Sequence, residues 1–140
     1  MCNHLIRFMK ATQNTYESKL EGIVEADETY FRDSKKGERN LTRPARRRGS
    51  KATTPGINHL DWVTVLVAKD RNYHEFDQVL STVNASKINE CLGCKIVDES
   101  VLCTDGQPAY NRLCKIHHLF HVVINNNQTQ QGLYHIQNIN

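Results

Sequence analysis

The stretch Gly22-Ile23-Val24-Glu25-Ala26-Asp27-Glu28-Thr29-Tyr30-Phe31 decides the fold. Ile23 opens it, and β-branched and aromatic residues recur along it, the composition of a half-buried strand. Side chains alternate across a strand, so Glu25 and Asp27 share one face and Glu28 takes the other. A carboxylate on a sheet face is costly unless it is paired or binds a cation. Asp27 therefore needs an explanation that a surface aspartate would not.

Working outward, Trp62-Val63-Thr64-Val65-Leu66-Val67-Ala68 is the clearest buried strand. Lys69 to Asn72 is a turn signal, and Tyr73 to Leu80 returns as an antiparallel strand. Asn84 to Leu92 reads as a helix, with Asn84 or Ser86 as its cap. Ser100 to Thr104 is a short buried strand that ends at Asp105-Gly106, and a helix starts around Pro108, a residue suited to the first helical turn. His118 to Ile124 reads as a further strand, and Asn125 to Gly132 as a polar loop. Residues 1–20 carry Leu5, Met9 and Tyr16 near helical spacing and read as a helical lead-in. Hairpin-linked strands come first and helix-linked strands after, the order of a mixed α/β domain.

The chain has 140 residues, enough for one domain with one core. Its hydrophobic content of 39% is too high for a disordered chain. No apolar run approaches the ~20 residues that span a bilayer, and the first residues lack the apolar stretch of a signal peptide. The expected location is inside the cell: cytoplasmic or nucleoid-associated in a bacterium, nuclear in a eukaryote. Five cysteines, at 2, 91, 94, 103 and 114, do not suggest a disulfide framework. Cys91 and Cys94 form a lone C-x-x-C on a helical stretch, which reads as small buried thiols rather than a zinc site. His117, His118 and His121 lack a convincingly spaced acidic or cysteine partner. On a strand, His117 and His121 would share a face opposed by His118, and structural or loop roles fit them best. Tyr110 and Trp62 read as core or rim aromatics.

The net charge of +3 hides a strong asymmetry. Between Arg32 and Lys51 lie nine Lys or Arg against Asp33 and Glu38, a local excess of +7 that leaves −4 for the rest. Residues 33–59 have no apolar periodicity and hold prolines and glycines, so they read as a long basic loop. A charge run is usually a solvated face. Here Arg46-Arg47-Arg48 stands between Pro44 and Gly49, near the Asp27 strand, and suits contact with phosphates. Lys35, Lys36, Arg39, Arg43, Arg46, Arg47, Arg48 and Lys51 are the candidate DNA-contacting residues.

Asp105 sits where a buried strand gives way to a helix, and ligands in α/β folds gather at the carboxyl ends of strands. Asp27 and Asp105 are far apart in sequence, yet neighbouring strands can bring them together to hold divalent ions, which prefer oxygen ligands. Two such ions, roughly 3.5–4 Å apart, serve phosphodiester chemistry. Asp-Gly after a strand is also a common turn, so spacing alone leaves both readings open.

Three segments carry a family resemblance. Gly22–Phe31, with Ser34-Lys35-Lys36-Gly37 and the Arg-rich loop after it, resembles the first catalytic strand of insertion-sequence DDE transposases. Val65 to Arg71 and Leu102-Cys103-Thr104-Asp105-Gly106-Gln107-Pro108-Ala109-Tyr110 fit the same pattern, and the ISXO2-like branch is the most similar. The resemblance runs from about residue 18 to the end. It implies a ribonuclease-H-like mixed sheet flanked by helices, with Asp27 on the first strand and Asp105 after the fourth. It also implies a third catalytic residue opening a C-terminal helix; this branch takes Asn there in place of Glu, and Asn140 aligns with it.

On that resemblance Asp27, Asp105 and Asn140 are the expected catalytic and metal-binding residues, holding two Mg2+ or Mn2+ ions. The expected substrates are transposon-end and target DNA, and the full-length protein is expected to form a homo-oligomer. Residues 1–20 are then a lead-in and 21–140 a partial catalytic domain, truncated at both ends, with the C-terminal helix missing. A neutral amide at a chain end is a weak metal ligand, so weak or absent strand transfer is expected of this chain. Two alternatives stay open. One is an inactive remnant that binds DNA or transposase subunits. The other is a different ribonuclease-H-like nuclease, drawing further ligands from Glu25, Asp98 or Glu99.

Overall fold

Five strands form a mixed sheet in the order β3-β2-β1-β4-β5. In the computed structural model these are β1 (Ile23–Arg32), β2 (Trp62–Asp70), β3 (Glu75–Leu80), β4 (Val101–Thr104) and β5 (Phe120–Val123), with helices α1 (Ala85–Leu92) and α2 (Tyr110–Ile116). Residues 19–32, 36–41, 62–124, 130–131 and 133–135 are described. The expected lead-in helix, most of the basic loop and Asn140 lie outside them.

β1 is the central strand. It pairs antiparallel with β2 along its length and parallel with β4 over Ile23 to Glu25. β3 continues the antiparallel side and β5 the parallel side. β2 and β3 are antiparallel across a short turn, whereas β4 and β5 are parallel with a helix between them, because parallel neighbours need a crossover.

Alternation sorts β1 into two faces. Val24 and Ala26 are fully buried and join Leu66, Ala68 and Leu102 in the core. Both helices contribute to that core with the same pattern. Ile88, Cys91 and Leu92 are buried on α1, and Tyr110, Leu113 and Cys114 on α2, each set at i, i+3, i+4, one stripe of a helix. Full burial of such a side chain contributes about 1.5–3 kcal/mol. Asn84 caps α1, its Oδ1 accepting from the Lys87 N–H at 2.8 Å. Leu20 closes the near end of the core. It bridges to Ile96, with the Leu20 N–H donating to the Lys95 carbonyl and the Val97 N–H to the Leu20 carbonyl.

Three readings need correction. His117 and His118 are not on a strand: α2 runs to Ile116, His117 caps it, and His118 turns the chain at φ 52°. The Leu119 N–H donates back to the Cys114 carbonyl, and only then can β5 start. The segment read as a polar loop holds β6 (Gln130–Gln131), paired antiparallel with β7 (Tyr134–His135). Of the C-x-x-C pair, Cys91 is buried as expected but Cys94 is exposed.

Candidate paired-carboxylate site

Register brings the two aspartates together. Glu25 on β1 stands opposite Cys103 on the parallel strand β4. Asp27 lies two residues beyond Glu25 on β1, and Asp105 two residues beyond Cys103, just past the carboxyl end of β4. Two-residue spacing keeps Asp27 on the Glu25 face of the sheet, away from the helices. The charge of Asp105 adds to the rise of the Asp27 carboxyl, after burial as the main cause.

Each carboxylate is oriented by its own backbone. Asp27 Oδ1 accepts from the Glu28 N–H at 2.8 Å, and Asp105 Oδ1 from the Gln107 N–H at 3.0 Å. The turn that carries Asp105 is closely built. Gly106 adopts φ +91°, and a Cβ there would meet Val123 Cγ1 at 2.7 Å. Its N–H donates to Thr104 Oγ1 at 3.1 Å, and that hydroxyl lies 2.8 Å from His121 Nε2 on the neighbouring strand. Any side chain at 106 would both strain the backbone and push β5 away.

On the helix side of β1, Glu28 faces Tyr110, the first residue of α2. Tyr110 is fully buried and its hydroxyl donates to Glu28 Oε1. Sequence spacing gives no hint of this bond, which joins residues 82 apart. The available signal was the alternation that turned Glu28 towards the core, where a carboxylate needs a donor.

Three carboxylates thus sit in one region. Burial pushes the Asp27 carboxyl above its ordinary value, the Glu28 amide opposes that, and the charge of Asp105 raises it further. Burial likewise raises Glu28, partly offset by the Tyr110 hydroxyl, with the charges of Asp105 and Asp27 adding to the rise. Burial and the adjoining Glu28 carboxylate hold the Tyr110 phenol protonated. Such mutual repulsion is relieved by a cation, and carboxylate oxygens are the donors that hard divalent ions prefer. The donor chemistry of Asp27 and Asp105 therefore fits such an ion. Among the described residues, no group of three or more His, Cys, Asp or Glu is placed to hold one.

The other acidic candidates are engaged elsewhere. Glu25 is buried and its Oε1 lies 3.0 Å from Arg71 Nη2. Asp98 pairs with His117 at 2.8 Å, and Glu99 precedes β4, at the end of the strand opposite Asp105. Of the basic candidates, Lys36 and Arg39 are described and exposed. Lys35, Arg43, Arg46, Arg47, Arg48 and Lys51 lie outside the described residues, as does Asn140.

The class is thus an α/β protein with a five-stranded mixed sheet, Asp27 on its central strand and Asp105 just past the parallel neighbour. The family model of the ISXO2-like transposase domain matches residues 19–140, and the chain belongs to that family. No curated protein matches the chain. Membership ties the chain to transposition, and hence to DNA as a partner. No helix among the described residues is long and apolar enough to cross a membrane.

Proposed function

We propose that this domain is the catalytic core of an insertion-sequence transposase, cutting and joining DNA strands with divalent metal ions held by Asp27 and Asp105. The observation that carries the reading is the β1–β4 register, which ends two residues short of each of these carboxylates, in a chain of a transposase family. The strand order β3-β2-β1-β4-β5, with Asp27 on the central strand and Asp105 just past its parallel neighbour, supports a ribonuclease-H-like sheet.

In this reading Mg2+ or Mn2+ supplies activation of a water or 3′-hydroxyl and stabilisation of the leaving oxygen. The chain's residues do the rest. Asp27 and Asp105 each keep one oxygen on a backbone amide, which orients the carboxylates and leaves the other oxygen to serve as the donor to the ion. Asn140 is the proposed third ligand, by its place in the family pattern. The basic run from Lys35 to Lys51 holds the phosphate backbone without reading sequence.

The test is nicking and joining of labelled transposon-end DNA in Mg2+ and in Mn2+, by the wild-type chain and by Asp27→Asn and Asp105→Asn. Metal-dependent product from the wild type, reduced at least about a hundredfold in each variant, is the expected result. Product that is independent of metal, or unchanged in the variants, would sink the reading.

A further inference from the structure

The hydrogen bond from Tyr110 to Glu28 joins the start of α2 to β1 on the helix side of the sheet. Tyr110 lies five residues beyond Asp105 and begins the helix into which the Asp105 turn runs. Glu28 follows Asp27, and its N–H is the donor to Asp27 Oδ1. One bond thus ties the segment that carries Asp105 to the residue that orients Asp27. The other ties of the Asp105 turn run to its own backbone or towards β5: Gly106 to Thr104, Thr104 to His121, and the Ile124 N–H to the Thr104 carbonyl. β1 and β4 share ladder register only from Ile23 to Glu25, short of both aspartates. Beyond the ladder the two chain segments need a separate brace, and the buried phenol supplies it.

We propose that Tyr110 is a positioning residue whose hydroxyl, held by the Glu28 carboxylate, sets the separation of Asp27 and Asp105. The inference rests on the reading that those two residues share a divalent cation, and it makes Glu28 an acceptor rather than a ligand. A hydrogen bond to a half-buried carboxylate is among the stronger ones, and a phenol is a rigid strut with only two side-chain torsions. Removing the hydroxyl leaves the carboxylate without its donor and lets α2 and β1 shift independently at that point.

The distinguishing comparison is between loss of the bond and loss of the charge. Tyr110→Phe and Glu28→Ala abolish the bond; Glu28→Gln keeps an acceptor oxygen for the phenol while removing the charge. In the metal-free chain, amide hydrogen exchange is followed at Glu28 and Gln107, whose N–H groups donate to the two aspartates, with Leu66 in the sheet as reference. Tyr110→Phe and Glu28→Ala are expected to speed both site amides about tenfold relative to Leu66, and Glu28→Gln to leave them near the wild-type rate. Mn2+ affinity, read from the relaxation of water protons, is expected to fall about tenfold in the first two variants and to stay within about twofold in Glu28→Gln.

Equal exchange in Tyr110→Phe and wild type would overturn the proposal. So would acceleration of every amide alike, which marks general destabilisation, or a Glu28→Gln as impaired as Glu28→Ala, which would assign the effect to charge. If Tyr110→Phe does not fold, the two Glu28 variants make the same decision. Mn2+ binding that is the same in wild type and Asp27→Asn would instead remove the cation reading, and the exchange comparison would still decide the brace.

Discussion

Asp27 carries a cost that its neighbours do not relieve. It is half-buried, its carboxyl is raised by burial and by Asp105, and a single backbone amide opposes that rise. A carboxyl whose folded value lies above its unfolded value destabilises the fold once ionised. The penalty is absent below the ordinary carboxyl value of 3.8 and grows as pH rises through the higher folded value. Asp27→Asn keeps an Oδ1 acceptor for the Glu28 N–H and removes the charge. In chelator-treated protein at pH 7 this variant should melt no lower than the wild type, and the difference should close below about pH 4. Added Mn2+ should then raise the wild-type Tm and leave Asp27→Asn unmoved. Saturation at a hundred times Kd stabilises by about 2.7 kcal/mol, readily seen by thermal unfolding. An Asp27→Asn that melts well below the wild type without metal would identify a structural aspartate. Under the proposed function, that pattern is expected of a site in which stability is given up locally until a cation arrives. Glycine at 106 follows the same local logic, since its conformation and the room beside Val123 are both demanded by the turn that holds Asp105.

The turn between β2 and β3 is built the opposite way. Asp70 is buried, and burial alone would raise it. Hydrogen bonds from the His74 side chain and from the His74, Glu21 and Asn72 amides more than offset that and hold it below its ordinary value. A carboxyl with a lowered folded value stabilises the fold above its unfolded value and loses that contribution as pH falls through the folded one. Asp70→Ala should cost about 3 kcal/mol in urea unfolding at pH 7, and the gap to wild type should shrink as pH drops below about 4. At the first turn of α1, Asn84→Ala should cost about 1 kcal/mol by loss of the cap to Lys87. Both devices were legible in the sequence, as a turn signal at Lys69 to Asn72 and a capping residue before an apolar stripe, because turns and caps are local chemistry. The first four strands and α1 were legible for the same reason. The start of β5 was not, because the Cys114 carbonyl and a left-handed His118 set it through a helix end that strand propensity does not register. β6 and β7 are two residues each, too short for alternation to show. Within the site, Asp27 and Asp105 were marked by type and position. Their meeting depends on a parallel pairing across 78 residues, and the Tyr110–Glu28 bond on a contact across 82.

At the scale of the whole molecule, the charges are divided by segment. Half of the basic residues fall between Arg32 and Lys51, while the sheet end that carries Asp27, Glu28 and Asp105 is acidic. A polyanion such as DNA is repelled by the carboxylates unless cations or basic side chains intervene, so in the proposed function affinity and chemistry are assigned to separate parts of the chain. Phosphate contacts release condensed counterions, and each steepens the fall of log K with log salt by about 0.9 for a duplex. Replacing Arg46, Arg47 and Arg48 together with Ala should lower that slope by up to about 3 and weaken binding of unrelated duplexes alike, since phosphate contacts read no sequence. Asp27→Asn should leave the slope as it is, because it removes no phosphate contact. The measurement is a fluorescence-anisotropy titration of a labelled duplex at several salt concentrations, with metal chelated so that only the chain's own charges act. A triple variant with the wild-type slope would show that these three arginines are a solvated face, and that DNA is held elsewhere on the domain.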